Sequence, residues 1–286
     1  MGKTQNSFEV IGVVGLGLIG GSIGLDLQAL GLEVRGLTHR KKTAVRAKAR
    51  GLVNTVSTSP EILKTCELII LALPLKELIN PNEELIQALP KNAVITDVGS
   101  VKAPVLKAWK HLHPRFVASH PMAGTTEEGV EAGIKDLFRQ RPWVSTPDSD
   151  TDQDALETVH QLATKLGSKW IATDAVSHDQ AVALISHLPV LISASLLHAV
   201  EHQSNKDLQS LFKQLASSGF SDITRIGGGN PRLGTDMSSN NTNSILNGLN
   251  LYKSSIKHFE EILIGKDWQK LEEELKRTKE IRESFF

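Results

Sequence analysis

The sequence predicts an α/β protein in which a doubly wound, mainly parallel sheet is followed by an all-helical domain. In the first half, strand-like and helix-like segments alternate, and runs such as residues 68–73 are continuously apolar, as strands covered on both faces require. After Thr173 the strand patterns stop and long helical patterns take over. We therefore expect two domains, residues 1–172 and residues 173–286.

The predicted elements follow in order along the chain. Apolar runs predict strands at residues 10–15, 32–37, 68–73, 93–97, 116–119 and 143–145. Amphipathic segments between them predict the helices that cover the sheet. Helical periodicity then predicts long helices at residues 175–203, 206–217, 242–265 and 268–283.

A glycine triplet joins the first predicted strand to the first predicted helix. Gly15 permits a tight turn, Gly17 lets the main chain approach a pyrophosphate, and Gly20 lets the helix pack closely on the strand. The N–H groups at the helix start, around Leu18 and Ile19, then face the phosphates. This context predicts a Rossmann-type site for a nicotinamide dinucleotide; the alternative is a glycine-rich structural turn.

The end of the second predicted strand favours NADP over NAD. NAD-binding proteins usually place an acidic residue there to accept from the ribose hydroxyl, but this chain has Thr38, followed by His39 and Arg40. A guanidinium can bind the extra phosphate of NADP bidentately. The remaining residues assigned to the cofactor end or follow later strands: Leu73, Pro74, and Asp97, which we expect to order a loop or the nicotinamide side.

Composition indicates a globular, cytoplasmic protein. The chain has 286 residues, of which 40% are hydrophobic, and its 32 basic residues balance 32 acidic ones, so no global field recruits nucleic acid or an anionic membrane. The single cysteine, Cys66, predicts a buried apolar residue. The polar start of the chain predicts no secretory leader, and the apolar residues 181–200 predict a buried helix. No metal site is predicted.

Longer motifs add a family resemblance. They are DVGSVK at residues 97–102, SHPMAG at 119–124, HDQAVALISHLP at 178–189 and GFSDITRIG at 219–227. With them, nearly the whole chain resembles the prephenate and arogenate dehydrogenases of tyrosine biosynthesis. The resemblance implies oxidative decarboxylation of a cyclohexadienol to a phenol, with hydride transfer to the dinucleotide.

The resemblance also implies roles for individual residues. His120 is the expected catalytic base, and Ser100 is expected to hydrogen-bond its imidazole or the substrate hydroxyl, or to cap a helix. Arg225 is expected to bind a substrate carboxylate, or to pair with an acid such as Asp222. His187 and Asp222 are supporting residues of the substrate site. His111 and His113 lack such context and are expected at the surface.

Departures from the family pattern favour arogenate as the substrate. Val190 stands where many prephenate-using relatives have a second histidine, Thr126 where some have a glutamate, and Gly234 where some have a tryptophan. Losing a histidine donor suits arogenate, which carries less negative charge than prephenate. The run at residues 225–236 also resembles the cyanobacterial and plant arogenate dehydrogenases, which tend to use NADP.

The sequence is compatible with two forms of assembly and with several rival functions. Long apolar faces in the helical half resemble the family's dimerisation domain and predict a homodimer; the alternative is a self-contained bundle. The rival functions are a prephenate dehydrogenase, a hydroxyacid or imine reductase, whose catalytic lysine has no clear counterpart here, and a non-catalytic NADP-sensing protein.

Overall fold

The computed structural model describes residues 8–285. The polar N-terminal residues on which the expected lack of a leader rests are largely outside this range. Within it, the strands form a six-stranded sheet of order β3-β2-β1-β4-β5-β6 and a three-stranded sheet of order β7-β8-β9. Their bounds are β1 Val10–Val14, β2 Glu33–Leu37, β3 Thr55–Ser57, β4 Leu68–Leu71, β5 Val94–Asp97, β6 Phe116–Val117, β7 Ser119–Pro121, β8 Pro142–Ser145 and β9 Lys169–Ala172.

Helices cover the sheets and make up the C-terminal half. They are α1 Leu18–Ala29, α2 Lys41–Ala49, α3 Leu75–Ile79, α4 Glu83–Ala88, α5 Ala103–Trp109, α6 Gln153–Lys165, α7 Ala175–Val182, α8 Leu188–Glu201, α9 Lys206–Leu215, α10 Ser218–Thr224, α11 Pro231–Asn240, α12 Thr242–Ile264 and α13 Trp268–Phe285. A 3-10 turn spans Pro60–Leu63, and a π-helical segment, Ala183–His187, joins α7 to α8. The predicted α/β class with a helical second half is confirmed.

The six-stranded sheet is wholly parallel and buried on both faces. All its strand pairs run parallel. In β4, Leu68 and Ile70 belong to one core cluster, whereas Ile69 and Leu71 belong to the other. Successive side chains of a strand point to opposite faces, so the two clusters are the two layers between sheet and helices. This explains the continuous apolar run. The thiol of Cys66 is also buried, as expected, and burial raises its pKa to about 11.

The sheet reverses its winding direction between β1 and β4. From β1 the chain winds outward through β2 to β3, and it then returns to the other side of β1 to form β4, β5 and β6. In open α/β sheets the crevice beyond the carboxyl ends of strands at such a switch point binds ligands. Here Gly15 follows β1 and Ala72 follows β4, so the glycine loop forms one wall of that crevice.

The predicted strand at residues 116–119 divides at Ala118. β6 pairs with β5 in the parallel sheet, whereas β7 pairs antiparallel with β8 in the second sheet, where His120 lies opposite Val144. His120 therefore lies within a strand rather than just after one. β3 and β9 were not predicted, because β3 is very short and β9 is mostly exposed.

The predicted helix at residues 175–203 is interrupted where its histidine motif lies. Pro189 has no N–H group to donate to the carbonyl of Ile185, and the chain widens into the π-helical segment that ends at His187. The short helices α10 and α11 were not predicted. Asn230 caps α11 by accepting from the N–H groups of Arg232 and Leu233.

Much of the helical half presents apolar side chains to solvent in the single chain. Within residues 8–285, the run Ala175–Glu201 is the one helical stretch long and apolar enough to cross a membrane by length and composition, and 28% of its most apolar part is buried. The expectation of a buried helix is therefore wrong for the isolated chain. Exposed apolar residues of the helical half include Leu184, Ile185, Leu196, Leu251, Ile256 and Ile264.

Candidate active site

The three glycines of the loop meet different surroundings. Gly15 has a φ of +89°, and a Cβ there would lie 2.2 Å from the Ala72 carbonyl oxygen. A Cβ on Gly20 would lie 2.0 Å from the Gly15 carbonyl oxygen. Gly17 has an ordinary φ of −79°, and its Cβ would meet no atom within 4 Å. Neither strain nor packing therefore requires glycine at position 17, and the open space there is where a Rossmann-type loop would accept a pyrophosphate.

This difference predicts opposite effects of two matched substitutions. Gly20→Ala should lower the free energy of unfolding by about 1–3 kcal/mol through overpacking against main chain. Gly17→Ala should leave it within about 0.5 kcal/mol of the unchanged protein, but should weaken dinucleotide binding about tenfold or more by filling the cradle. Urea denaturation and fluorescence titration with the dinucleotide measure the two effects. Equal dinucleotide affinity in Gly17→Ala and the unchanged protein contradicts the cradle.

The residues assigned to the rest of the cofactor surround this crevice. Leu18 and Ile19 form the first turn of α1, and Leu73 and Pro74 follow β4 beside Gly15. Thr38 follows β2 and is buried, with its hydroxyl donating to the Arg40 carbonyl oxygen at 3.3 Å. His39 and Arg40, which follow Thr38 in the loop between β2 and α2, are exposed.

A buried polar network holds the strand that carries His120. Asp97 is fully buried; Oδ2 accepts from the Gly99 N–H and the Lys102 ammonium, and Oδ1 accepts from the Ser119 N–H at 3.0 Å. The Lys102 ammonium also donates to the Ser119 carbonyl oxygen at 2.6 Å. Burial lowers the pKa of Lys102, opposed by the Asp97 carboxylate. The carboxylate of Asp97 thus orders the loop that follows β5, one of the two roles expected of it, and its contact with the cofactor stays a prediction.

His120 ends a chain of hydrogen-bonded side chains. Its Nδ1 lies 3.0 Å from Nε2 of His178, and Nδ1 of His178 lies 2.8 Å from Oδ1 of Asp179. Among residues 8–285, Nε2 of His120 has no hydrogen-bond partner, and this atom is not fully buried. Burial holds the pKa of His120 well below its ordinary value, with smaller electrostatic contributions from His178, Lys102 and His187. His120 is therefore a neutral imidazole with a free ring nitrogen, as a general base requires.

Of the contacts expected for Ser100, those with other described residues of the chain are not formed. No hydrogen bond joins its hydroxyl to His120 within the described chain; His178 takes that place. Nor does Ser100 cap α5, because the side chain of Asp179 accepts from the N–H groups of Lys102 and Ala103 at the helix start. The remaining expectation, a contact between Ser100 and the substrate hydroxyl, stays a prediction.

His187 is fully buried beside this network. Its Nδ1 lies 3.3 Å from Nδ2 of Asn241, which also donates to the main-chain oxygen of Asp179 at 2.6 Å. Since Nδ2 is a donor, the proton of neutral His187 is on Nε2, and that atom has no hydrogen-bond partner within residues 8–285. Burial lowers the pKa of His187 to about 4, opposed chiefly by the Asp179 carboxylate.

Other predicted substrate residues are not brought into this network. Arg225 and Asp222 are exposed on α10 and its C-terminal end, and no ion pair joins them in the described residues. Thr126 is exposed in the loop between β7 and β8. Val190 packs against one of the two core clusters. The expected surface position is wrong for His113, which is buried against the Pro90 carbonyl oxygen at 3.0 Å.

Four residues of the network were missed by sequence reasoning. Lys102, His178 and Asp179 lie inside the DVGSVK and HDQAVALISHLP motifs, but the sequence gives no sign that they meet. Asn241 lies outside every motif, at the residue before α12. A Lys in a helix-start motif and an adjacent His-Asp pair were the available signals.

A glycine cradle at the switch point of a parallel sheet, with a buried neutral histidine anchored to its carboxyl edge, defines a dinucleotide-dependent oxidoreductase. Two family models match this chain, the nucleotide-binding domain of prephenate dehydrogenase over residues 23–172 and its dimerization domain over residues 174–277. The chain belongs to the prephenate dehydrogenase family, which includes arogenate and cyclohexadienyl dehydrogenases. The matched range begins after the glycine loop.

Individual relatives cover nearly the whole chain. A cyclohexadienyl dehydrogenase from Zymomonas mobilis is 30% identical over 280 residues, which are 96% of this chain and 95% of the relative. The crystal structure of Synechocystis arogenate dehydrogenase is 36% identical with a TM-score of 0.81, covering 97% of this chain and 100% of that one. Prephenate dehydrogenase from A. aeolicus, in complex with hydroxyphenyl propionate and NAD+, is 26% identical with a TM-score of 0.91, covering 99% and 100%.

Proposed function

We propose that the chain catalyses the oxidative decarboxylation of L-arogenate to L-tyrosine with NADP+ as the hydride acceptor. The observation that carries the proposal is His120, a neutral imidazole with a free Nε2 that is anchored to the carboxyl end of β5, next to β4 and the glycine crevice. In a chain of this family, a base in that place can remove the proton of the substrate's ring hydroxyl.

The residues present divide the proposed reaction between them. When bound in the crevice, the dinucleotide supplies the hydride acceptor. Nε2 of His120 accepts the hydroxyl proton while hydride leaves the ring carbon that carries this hydroxyl. The bond between the ring and its carboxylate then breaks, which releases carbon dioxide and leaves an aromatic ring. Ser100 contacts the substrate hydroxyl, and Arg225 binds a substrate carboxylate through its planar fork, with Thr126, His187 and Asp222 as supporting residues.

The choice of arogenate rests on one side chain and one relative. Val190, where a second histidine would add a donor for prephenate, is instead part of an apolar cluster. The 36% identical Synechocystis structure is an arogenate dehydrogenase. Prephenate is the alternative substrate, with NAD+ as the alternative cofactor, and the A. aeolicus enzyme with its bound NAD+ favours that pair.

Initial rates with purified protein test the proposal. Arogenate and prephenate are each supplied with NADP+ and with NAD+ at matched subsaturating concentrations, and nicotinamide reduction is followed by absorbance. We expect the fastest reduction with arogenate and NADP+. Faster reduction with prephenate overturns the substrate and leaves His120 as the proposed base, whereas no reduction in any combination, with NADP+ still bound, favours the sensing protein.

A variant of Arg40 tests the cofactor. Arg40 is exposed at the residue before α2, and residues 38–40, which join β2 to that helix, offer no carboxylate to accept from a ribose hydroxyl. Arg40→Ala should lower the ratio of kcat/KM with NADP+ to kcat/KM with NAD+ by about 10- to 100-fold, since one charge-assisted hydrogen bond contributes about 1.5–3 kcal/mol. Lys48→Ala, which removes an exposed cation from the last turn of α2, the helix that Arg40 precedes, is the matched control. An unchanged ratio in Arg40→Ala removes it from the phosphate site.

The assembly and the domain division are part of the same proposal. We expect residues 1–172 to form the dinucleotide-binding domain, and residues 173–286 to complete the substrate site and form a homodimer in the cytoplasm. The match to a dimerization domain and the exposed apolar side chains of the helical half support the dimer. Light scattering coupled to size exclusion measures it, and a monomer at micromolar concentration contradicts it.

A further inference from the structure

We propose that Asp179 and His178 are positioning residues that hold His120 in one tautomer, with the proton on Nδ1 and the lone pair of Nε2 free for the substrate hydroxyl. We call this pair the Asp179–His178 dyad. The inference rests on the proposed function, in which His120 is the base, and it concerns how that base is kept ready.

The direction of each hydrogen bond follows from the carboxylate. Both oxygens of Asp179 accept from main-chain N–H groups, Oδ1 from Lys102 at 2.7 Å and Oδ2 from Ala103 at 2.9 Å. Oδ1 also lies 2.8 Å from Nδ1 of His178. A carboxylate can only accept, so Nδ1 of His178 carries the proton.

The same argument then fixes the tautomer of His120. A neutral imidazole has one donor nitrogen and one acceptor nitrogen, so Nε2 of His178 is an acceptor. Nδ1 of His120, 3.0 Å away, must donate to it. The proton of neutral His120 is therefore on Nδ1, and its lone pair is on Nε2. The reverse arrangement, with Nε2 of His178 donating to His120, needs protons on both nitrogens of the His178 ring beside the Asp179 carboxylate, and the tautomer of His120 distinguishes the two arrangements.

The dyad is itself held from three sides. It lies on α7, its carboxylate caps the start of α5, and Asn241, next to α12, donates to the Asp179 main-chain oxygen at 2.6 Å. The rings of His120 and His178 meet edge to face, with centroids 5.2 Å apart. Such fixation resembles the outer partners that set the tautomer of catalytic and metal-binding histidines.

A purely structural role makes a different prediction. If Asp179 serves only as a helix cap and His178 only fills space, removing the His178 ring nitrogens affects stability and leaves the tautomer of His120 unchanged. The tautomer is therefore the readout that separates the two roles. It needs no substrate and no turnover.

The experiment uses long-range proton–nitrogen NMR spectra of the full-length protein with ¹⁵N-labelled histidine, at a pH above the ordinary histidine range. The His120 signals are assigned by their loss in His120→Asn. We expect Nδ1 to be protonated and Nε2 unprotonated in the unchanged protein. In His178→Phe, which retains a ring of similar size without an acceptor, we expect a mixture of tautomers.

Kinetics of matched variants complete the test. His178→Phe should lower kcat about 10- to 100-fold, as losses of outer partners do, while KM for the dinucleotide stays within about threefold. His178→Gln, whose amide oxygen lies near the position of Nε2, should restore part of kcat and the single tautomer. His113→Gln is the control and should leave both readouts unchanged, because it replaces another buried histidine, which is bonded to Pro90 near the amino ends of β5 and β6 rather than their carboxyl ends.

Two results overturn the inference: Nε2–H as the tautomer of His120 in the unchanged protein, or an unchanged tautomer and kcat in His178→Phe. The spectra of the unchanged protein and of His178→Gln decide the matter even where His178→Phe does not fold. A protein with the expected tautomer but no dehydrogenase activity retains the positioning role and loses the proposed function. An active dehydrogenase in which His120 has the other tautomer retains the proposed function and loses the positioning role.

Discussion

Replacing His120 with asparagine is expected to lower kcat by about 100- to 10,000-fold, the contribution of a positioned general base. Asparagine retains a polar side chain of similar reach but cannot accept and hold the hydroxyl proton. Because the glycine cradle does not involve His120, the affinity for the dinucleotide should stay nearly unchanged. Initial rates and fluorescence titration with the dinucleotide measure the two quantities on the same preparation.

The pH dependence of kcat/KM tests the role of His120 without a mutation. Burial, with smaller contributions from neighbouring charges, keeps the pKa of His120 well below its ordinary value. Because of this low pKa, the imidazole stays neutral as the pH falls through about 6.5, the ordinary value for histidine. The neutral imidazole is the form that can accept the substrate proton. We expect kcat/KM to stay level there and to fall only at lower pH. Near-normal turnover in His120→Asn, or an acid limb at or above the ordinary value, contradicts the role of His120.

Replacing Lys102 with methionine is expected to lower the free energy of unfolding by about 3–5 kcal/mol, the usual cost of leaving one partner of a buried ion pair uncompensated. Both side chains of the Lys102–Asp97 pair are fully buried. Lys102 also holds the carbonyl of Ser119, the residue before His120, so turnover should fall with stability. Urea denaturation followed by tryptophan fluorescence gives the free energy.

Two further variants separate buried charge from lost packing. Lys110→Met removes a surface lysine that pairs with Asp148 at 3.0 Å and Asp150 at 2.6 Å, and it should have little effect because exposed ion pairs contribute little. Asp97→Asn combined with Lys102→Met removes both charges and should recover part of the stability lost by Lys102→Met alone. Equal destabilisation by Lys102→Met and Lys110→Met contradicts the importance of the buried pair.

Several features could be predicted because their causes are local. The period and continuity of apolar residues predicted the central strands, and the glycine spacing predicted the crevice beside β1. The motif around His120 singled out a histidine that is buried and neutral. In each case, the residues that reveal the feature lie within one short segment.

Features that depend on distant partners could not be predicted. The division at Ala118, which places His120 in the second sheet, follows from pairing with β8, more than twenty residues later. The cap on α5 comes from Asp179, 77 residues beyond Lys102. Asn241 reaches Asp179 from 62 residues away.

The sequence by itself determined the α/β order, the dinucleotide loop and the histidine, because hydrophobic period and motif spacing act over a few residues. Only the tertiary structure decided the state of that histidine. Within their own sequence segments, Lys102, Asp179 and His178 have the pattern of ordinary polar residues. Folding removes them from water together, and a buried polar group must then find its hydrogen-bond partner wherever in the chain that partner lies.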